Sequence, residues 1–513
     1  MSGSYFTLKI DKCSMNLCEY LARQVKQQSD SPAIKRRDVD DLTYNDLEAQ
    51  VHRVAALLDE RDIGEDDHIA VYMPNCPAYV PLIFGIWHVG AVASPLNIRF
   101  GVDDLVFVLE DIQPTVLFTS GVIADKTDEL ESRVISLEHV VEVDEEGEFT
   151  EFPAANEAPS RVKRLDEDPA IIMHTSGTTG DPKGVVQTHR NIGAQVDSGI
   201  AVFRLAPDDT AVVAMPLFHV GGLHGPALMP LFSGGTVAIL PKWDPDELLR
   251  AIEDVGATYT GLVPTMMVDT LEAAEASEYD TTSLRFCFFG GSPAPEPLLD
   301  NFRETFQVEL SNYYGQTENA GVSITLDPED DLPPGALGKL TPAVRGKVVD
   351  IETGEEVEPG EQGELLLRGD IITPGYWERP DRNEALFTDG WLHTEDIVRR
   401  DEDGYFYYVD RKDDIIHSGG EKVPPSKVEN VLQDMPNVEA VAVFGTDHDR
   451  WGEAVTAAII GDDITEEEVE AFCESREDLP GYMKPRRIVF VDEFPRTGSQ
   501  KIDKVALADQ VEP

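Results

Sequence analysis

Apolar residues along this chain arrive in short blocks of two kinds. Compact runs rich in Val, Ile, Phe and Ala, such as AVVAM at 211–215, TVAIL at 236–240 and RFCFFG at 285–290, are bounded by turn residues and predict buried strands. Between them lie amphipathic patterns such as DPDELLRAIEDVG at 244–256, which predict helices. Alternation of this kind predicts an α/β fold, with parallel sheets covered by helices. Around 364–368 and again at 404–410 the pattern becomes short and hairpin-like, which predicts a smaller β-rich subdomain.

After Asp410 a compact α+β unit begins. Ser426 followed by Glu429 predicts a capping box opening the helix SKVENVLQDM, and Thr465 with Glu468 predicts a second. The runs VEAVAVFG, VTAAII and RRIVFV predict strands around those helices. Residues 411–414, RKDD, offer a short hinge rather than a long tether. The expected organisation is therefore a large N-terminal domain over 1–410, of layered and mostly parallel sheets plus the β-rich subdomain. A small, mobile α+β C-terminal domain over 411–513 follows. Residues 138–161 are acidic and poor in periodicity, and are expected to form a surface excursion.

Two stretches without formal charge, 69–98 and 211–241, have the length of membrane spans. Pro74, Pro77, Pro81 and Pro95 in the first, and Pro216, Pro226 and Pro230 in the second, predict shorter buried helices, strands and turns instead. With 513 residues the chain can bury several cores. Lys and Arg number 42 against 97 Asp and Glu, a net charge of −55 that would repel a nucleic-acid backbone. A hydrophobic content of 41% nonetheless predicts a folded chain rather than a disordered one. Because the acid is spread along the whole sequence, it predicts a hydrated acidic surface adapted to high salt, where a short Debye length screens the self-repulsion. Five scattered cysteines with no CxxC pair predict neither a disulfide framework nor a zinc knuckle, and fit a reducing cytosol. The segment MSGSYFTLKIDKCS lacks a cationic start followed by an apolar core, so a cytoplasmic location is expected. Oligomeric state stays open, a homodimer among the options.

The sharpest local signal is TSGTTGDPKG at 175–184, after the apolar segment AIIMH. Hydroxyls, glycines and one lysine at a strand end offer backbone N–H groups and short donors that can wrap a polyphosphate. This is not the GxxxxGK[ST] nucleotide loop, because Lys183 is followed by Gly184. The loop resembles the signature of the adenylate-forming superfamily, which includes acyl- and aryl-CoA synthetases, peptide-synthetase adenylation domains and firefly-type luciferases. The resemblance runs in order over nearly the whole chain: MPNCPAYVPLIFGIWHVGAVASPLN at 73–97, MPLFHVGGL at 215–223, GGSPAP at 290–295, NYYGQTE at 312–318, WLHTEDI at 391–397, DRKDDIIHSGGEKVPPSKVEN at 410–430 and PRTGSQK at 495–501.

The resemblance implies a role for each matching residue. Thr175, Ser176, Gly177, Thr178, Thr179, Gly180 and Lys183 would hold the ATP phosphates, and His219 would stand beside the acyl pocket. Gly290, Gly291 and Ser292 would lie against adenine, where the glycines let a flat base approach the backbone. Tyr314 would stack on the purine next to Gly315, Thr317 would donate to a phosphate oxygen, and Glu318 would ligate Mg2+. Asp396 would bind the ribose hydroxyls although Glu395 replaces the glycine usual before it, and Arg411 would reach the same sugar. Asp413 would be the hinge, with Gly419 and Gly420 leaving room for a pantetheine arm. Lys501 would be the catalytic lysine, although Gln500 replaces the glycine usual before it. Lys484, Arg486 and Arg487 are candidates for the CoA phosphates.

The implied activity is an AMP-forming acyl-CoA synthetase using ATP, Mg2+ and CoA. Its acid is expected to be a medium- or long-chain fatty acid, because the segments expected to line the pocket, around His219, 263–267 and 313–315, contain no Lys or Arg to pair with a second charge. Alternatives are an aryl-acid CoA ligase, a stand-alone adenylation enzyme that loads a carrier protein, or, from another class, a non-catalytic nucleotide-binding regulator. The regulator's support is the departures at Glu395 and Gln500.

Overall fold

Prolines divide both long uncharged stretches. The first becomes the strand His68–Tyr72, the helix Tyr79–His88 and the strand Val92–Pro95. The second becomes the strand Thr210–Val213, a helical turn Val220–Gly222, a π-helical turn Leu223–Leu228 containing Pro226, the helix Met229–Ser233 and the strand Thr236–Ile239. Among the described residues no helix is long and apolar enough to cross a membrane. The computed structural model describes residues 15–36, 39–144, 149, 152–175, 182–448, 450–461, 464–476, 479–495 and 502–511.

The chain forms two compact units. One comprises Met1–Asp331, Leu340–Val344 and Gly369–Leu386; the other comprises Leu332–Lys339, Arg345–Arg368 and Phe387–Pro513. The β-rich subdomain thus shares a unit with the last hundred or so residues, a division by compactness that differs from the one expected at 410/411.

Two large sheets build the first unit. In one, Pro32–Lys35, Thr236–Ile239, Thr210–Val213, Tyr259–Leu262, Phe286–Gly290 and Glu309–Gln316 pair in parallel in that order, and Gly321–Thr325 adds antiparallel. In the other, the order is His139–Glu142, Val116–Thr119, His68–Tyr72, Val92–Pro95, Pro169–Thr175 and Lys183–Thr188, parallel except for the last pair. Inner strands such as His68–Tyr72, Val116–Thr119 and Thr236–Ile239 are buried on both faces, which is why they read as unbroken apolar runs. Phe203, Phe286, Phe288, Tyr259 and Tyr313 stack into one aromatic column in this core. The expected surface excursion at 138–161 is corrected in part: His139–Glu142 is an edge strand, too short and too exposed for its pattern to register.

The second unit carries a five-stranded sheet, in which Gln362–Gly369, Phe387–Thr388, Trp391–Arg400 and Phe406–Arg411 pair antiparallel. It also carries a sheet ordered Glu421–Val423, Ile416–Ser418, Gly452–Gly461 and Val438–His448, with Arg487–Phe490 parallel to Gly452–Gly461. Val428 and Leu432 of the helix Pro425–Gln433 pack on Ile416, Val443, Val455 and Ile459. The capping box predicted at Thr465 and Glu468 forms. The one predicted at Ser426 does not, because the helix begins a residue earlier at Pro425. Ser426 is drawn off instead, its hydroxyl to the Val409 carbonyl and its N–H to Asp410, while Glu429 accepts from Val443 N–H at 2.7 Å.

Glu429 also meets Lys504 Nζ at 2.8 Å, in a pocket of charge that includes Asp410 and Asp414. Burial pushes both aspartates above the usual carboxylate range, and Lys504 eases the shift. Burial also lowers Lys504, but Glu429 outweighs it and keeps the amine a cation. Lys504→Met removes the amine shared by Glu429, Asp410 and Asp414, leaving Arg411 acting on Asp414, and is expected to cost about 3–5 kcal/mol in urea unfolding at pH 7. Raised folded-state pKa values mean that stability is gained as pH falls through them, so the deficit should shrink between pH 7 and pH 5. A deficit independent of pH would contradict this account.

Candidate active site

The pair of strands Pro169–Thr175 and Lys183–Thr188 sets the two ends of the TSGTTGDPKG loop opposite each other, Thr175 against Lys183 and His174 against Gly184. Ser176, Gly177, Thr178, Thr179 and Gly180 lie outside the described residues. Lys183 Nζ stands 5.5 Å from the centre of the Tyr376 ring. The Tyr376 hydroxyl donates to Glu318 Oε1 at 2.9 Å, so one tyrosine meets both the loop lysine and the candidate metal carboxylate. Gln187, on the strand that begins at Lys183, donates to the Thr317 carbonyl at 2.9 Å. Thr317 and Glu318 form a single 3-10 turn, Thr317–Asn319, entered from the strand Glu309–Gln316 and pinned by Asn319 Oδ1 on Gln316 N–H at 2.8 Å.

Glycine is required where these strands approach one another. A Cβ on Gly290 would fall 2.2 Å from the Tyr313 carbonyl oxygen, and one on Gly315 would fall 1.5 Å from that of Gly321. Gly291 has φ +83° and sits beside Val263, with Ser292 exposed after it. Tyr314 is half-buried on the face opposite the buried Tyr313. His219 follows a turn held by Asn75, which donates to the Met215 carbonyl at 3.0 Å and accepts from Leu217 N–H at 2.8 Å. Its ring lies 4.7 Å from that of Phe218.

In the second unit, Asp396 and Arg411 are register partners on adjacent strands, and Arg411 donates to Asp396 Oδ1 at 3.0 Å. Asp396 is 4% exposed. Arg411 also donates to Glu395 at 2.9 Å and to the Thr394 carbonyl. Burial lowers its pKa, but Asp396 and Glu395 outweigh that and raise it overall. Glu395 keeps φ +60°, so the turn survives without the usual glycine, at a backbone cost of about 1 kcal/mol or more. Asp413 is exposed in the turn between Phe406–Arg411 and Ile416–Ser418. Gly419 and Gly420, at φ +65° and +89°, make the two-residue link of a hairpin, as paired left-handed residues do. Gly419 packs on Trp451, whose ring lies between Arg450 at 4.5 Å and Arg486 at 4.2 Å. Lys501 lies outside the described residues.

Sequence reasoning missed Tyr376, Asp111 and His174. Asp111 accepts from Arg379 at 2.6 Å and lies 3.4 Å from His174 Nε2. Burial raises the Asp111 carboxyl, but the His174 and Arg379 hydrogen bonds outweigh it and hold it below the ordinary range. These residues are far apart in sequence and carry no local pattern; only Tyr376, in PGYW, had a turn signal beside it. His224 was also missed: it is fully buried, with Nδ1 donating to the Ala320 carbonyl at 2.8 Å, and burial lowers its pKa to about 4.

The donor set suits Mg2+. Among the described residues no cluster of three His, Cys, Asp or Glu could cage a metal, while Glu318 offers one oriented carboxylate, and Mg2+ is commonly held by one or two carboxylates together with substrate phosphates.

A family model described as AMP-binding enzyme matches residues 21–377, and one described as AMP-binding enzyme C-terminal domain matches 427–501. The chain is 35% identical to a feruloyl-CoA synthase of Amycolatopsis sp, over 90% of this chain and 92% of that one. It is 31% identical to a long-chain-fatty-acid–CoA ligase of Mycobacterium tuberculosis, over 91% and 93%. Its fold matches ATP-bound MatB from Rhodopseudomonas palustris with a TM-score of 0.88 at 28% identity, covering 97% of this chain and 99% of that one. It also matches o-succinylbenzoate CoA synthetase from Bacillus subtilis in complex with an acyl-adenylate intermediate, TM-score 0.87 at 29% identity, covering 98% and 99%. Motif order, fold and full-length similarity agree: the chain belongs to the AMP-binding enzyme family, within the adenylate-forming superfamily, and is an AMP-forming acid–CoA ligase.

Proposed function

We propose that this ligase activates a monocarboxylate with an apolar tail, first a medium- or long-chain fatty acid, as the acyl-adenylate and then transfers the acyl group to CoA. The observation that carries the reading is the convergence on Tyr376 of Lys183, at the end of the loop, and Glu318, at the end of the neighbouring sheet. It puts a cation and a metal-binding carboxylate within one side chain of each other, as a triphosphate needs.

Acid activation brings a carboxylate against the α-phosphate, and the two anions approach only where charge is neutralised. Mg2+ on Glu318 would supply part of that neutralisation. Residues 175–180 with Lys183 would hold the departing pyrophosphate, and Thr317 would donate to a phosphate oxygen. Gly290, Gly291, Ser292, Tyr314 and Gly315 would receive the base, and Asp396 with Arg411 the ribose. Lys501, as a cation, would bridge the carboxylate and the α-phosphate.

Domain 411–513 would then turn about Asp413 relative to 1–410, removing Lys501 and bringing in the Gly419–Gly420 hairpin. Trp451 between Arg450 and Arg486 favours CoA over a carrier protein, since an aromatic flanked by guanidinium groups suits a phosphorylated nucleotide. Lys484 and Arg487 would extend the same cationic surface. For the acid, Val263 beside Gly291 would contribute an apolar wall, with His219 expected beside the pocket. An aryl acid is the second reading, favoured by the feruloyl-CoA synthase relative.

Lys501→Ala is expected to abolish pyrophosphate release yet keep most of the thioester formation from preformed acyl-adenylate and CoA. Equal loss in both half-reactions would overturn the two-state hinge. A panel of fatty and aryl acids, each with and without CoA, names the substrate class: CoA-dependent AMP release with aryl acids alone would reject the fatty-acid reading, and pyrophosphate release indifferent to CoA would move the acceptor to a carrier protein. Silence with every acid would favour the nucleotide-binding regulator.

The net charge of −55 motivates a second expectation. Thermal midpoint and activity should both rise when KCl increases from 0.1 M to molar levels, because the screening length falls from about 10 Å to about 3 Å. A maximum in low salt would refute the proposed salt adaptation.

A further inference from the structure

The geometry points to Tyr376 as a positioning residue that aims the Glu318 carboxylate and seats the Lys183 ammonium, an inference that rests on the ligase reading above. The hydroxyl donates to Glu318 Oε1 at 2.9 Å. A bond on Oε1 fixes the plane of the carboxylate and so the direction in which Oε2 presents its lone pairs. The ring face meets the Lys183 ammonium at 5.5 Å, within cation–π range, so one side chain sets the distance between a metal-binding anion and a phosphate-binding cation.

The segment 373–379 is built to hold that ring. Thr373 N–H donates to the Glu318 carbonyl at 2.8 Å, and the Thr373 hydroxyl donates to the Val186 carbonyl at 2.5 Å. Val186 N–H donates to the Gly375 carbonyl at 3.1 Å, and Trp377 N–H to the Gly184 carbonyl at 2.7 Å, which lays the segment along the strand that starts with Lys183. Asn383 clamps the backbone of Tyr376 from both sides, accepting its N–H at 2.7 Å and donating to its carbonyl at 2.9 Å. Gly375, at φ +142°, leaves room for that clamp, since a Cβ there would stand 2.7 Å from the Asn383 amide. Beyond it, Arg379 donates to Asp111 at 2.6 Å, and Asp111 faces His174, the residue before Thr175. The segment is therefore tied to Glu318, to the strand entering at Lys183 and to the strand ending at Thr175.

Tyr376→Phe removes the hydroxyl and keeps the ring and every backbone bond, so the fold should be retained. Losing a partner that orients a metal ligand typically costs 10- to 100-fold in metal affinity. The Mg2+ concentration giving half-maximal pyrophosphate release should rise by about that factor, with saturating Mg2+ restoring most of the rate. In titration calorimetry the tightening of ATP binding by Mg2+ should shrink by about the same factor, while binding in EDTA stays close to wild type. Tyr376→Leu, which also removes the ring, should additionally weaken binding in EDTA, because Lys183 loses its seat. If Tyr376→Phe matches wild type in its Mg2+ midpoint and in Mg2+-linked binding, or loses ATP binding equally with and without Mg2+, the positioning role is wrong. If wild type itself neither binds ATP nor releases pyrophosphate, the ligase reading has failed instead.

Discussion

A site for three anions has to be built in a chain with more than two acids for every base, so the placement of each cation is the constraint on which the rest depends. An unattended lysine or arginine in such a chain is drawn to the nearest carboxylate. The structure meets this by assigning the cations named here fixed neighbours. Lys183 sits over the aromatic face of Tyr376. Arg411 is held between Asp396 and Glu395, and Lys504 by Glu429 beside Asp410 and Asp414. Arg486 and Arg450 flank Trp451, again an aromatic neighbour. Where a cation is proposed to meet phosphate, an aromatic ring stands beside it in two of these cases.

Much of this was legible in the sequence. Buried parallel strands are continuous apolar runs, so AVVAM, TVAIL and RFCFFG declared themselves, as did Asp244 and Gly256 at the two ends of a helix. Site residues near a strand end or in a glycine-rich turn were legible too, because the backbone demand is local: Gly290 and Gly315 have no room for a Cβ, and Gly419 and Gly420 turn a two-residue hairpin. What the sequence hid was assembled from a distance. Tyr376 meets Glu318 across 58 positions, and Asp111 meets Arg379 across 268. Ser426 failed as a cap for the same reason: its local partner was Glu429, but Asp410 and Val409 on another strand outbid it.

Glu395 shows how a departure from a family pattern can leave the geometry intact. The family glycine is expected where φ is positive, and the structure keeps φ at +60° with a glutamate there. The surrounding strands impose it: Lys412 N–H donates to the Glu395 carbonyl at 2.7 Å, and Glu364 Oε1 accepts the Glu395 N–H at 3.3 Å. The glutamate side chain then takes one branch of the Arg411 guanidinium while Asp396 takes the other, leaving Asp396 buried and fixed beside its partner. The substitution trades backbone ease for a second anchor on Arg411. On this ground it is weak support for an idle nucleotide sensor, because the carboxylate proposed to read the ribose keeps both its place and its partner.

Arg411 lies two residues before the proposed pivot, and that proximity links charge to motion. Its backbone belongs to the five-stranded sheet through the pairing with Asp396, whereas Asp410, one residue earlier, is bonded to Ser426 at the start of the helix Pro425–Gln433. Asp413 is the exposed residue of the turn 412–414, and the Ser426–Asp410 bond spans it, so a rotation about Asp413 would have to break that bond. The link proposed as a hinge is short, so a rotation there would move the following domain as a body rather than as a tether. That is what two alternating half-reactions require if one domain is to present first a lysine and then a glycine hairpin.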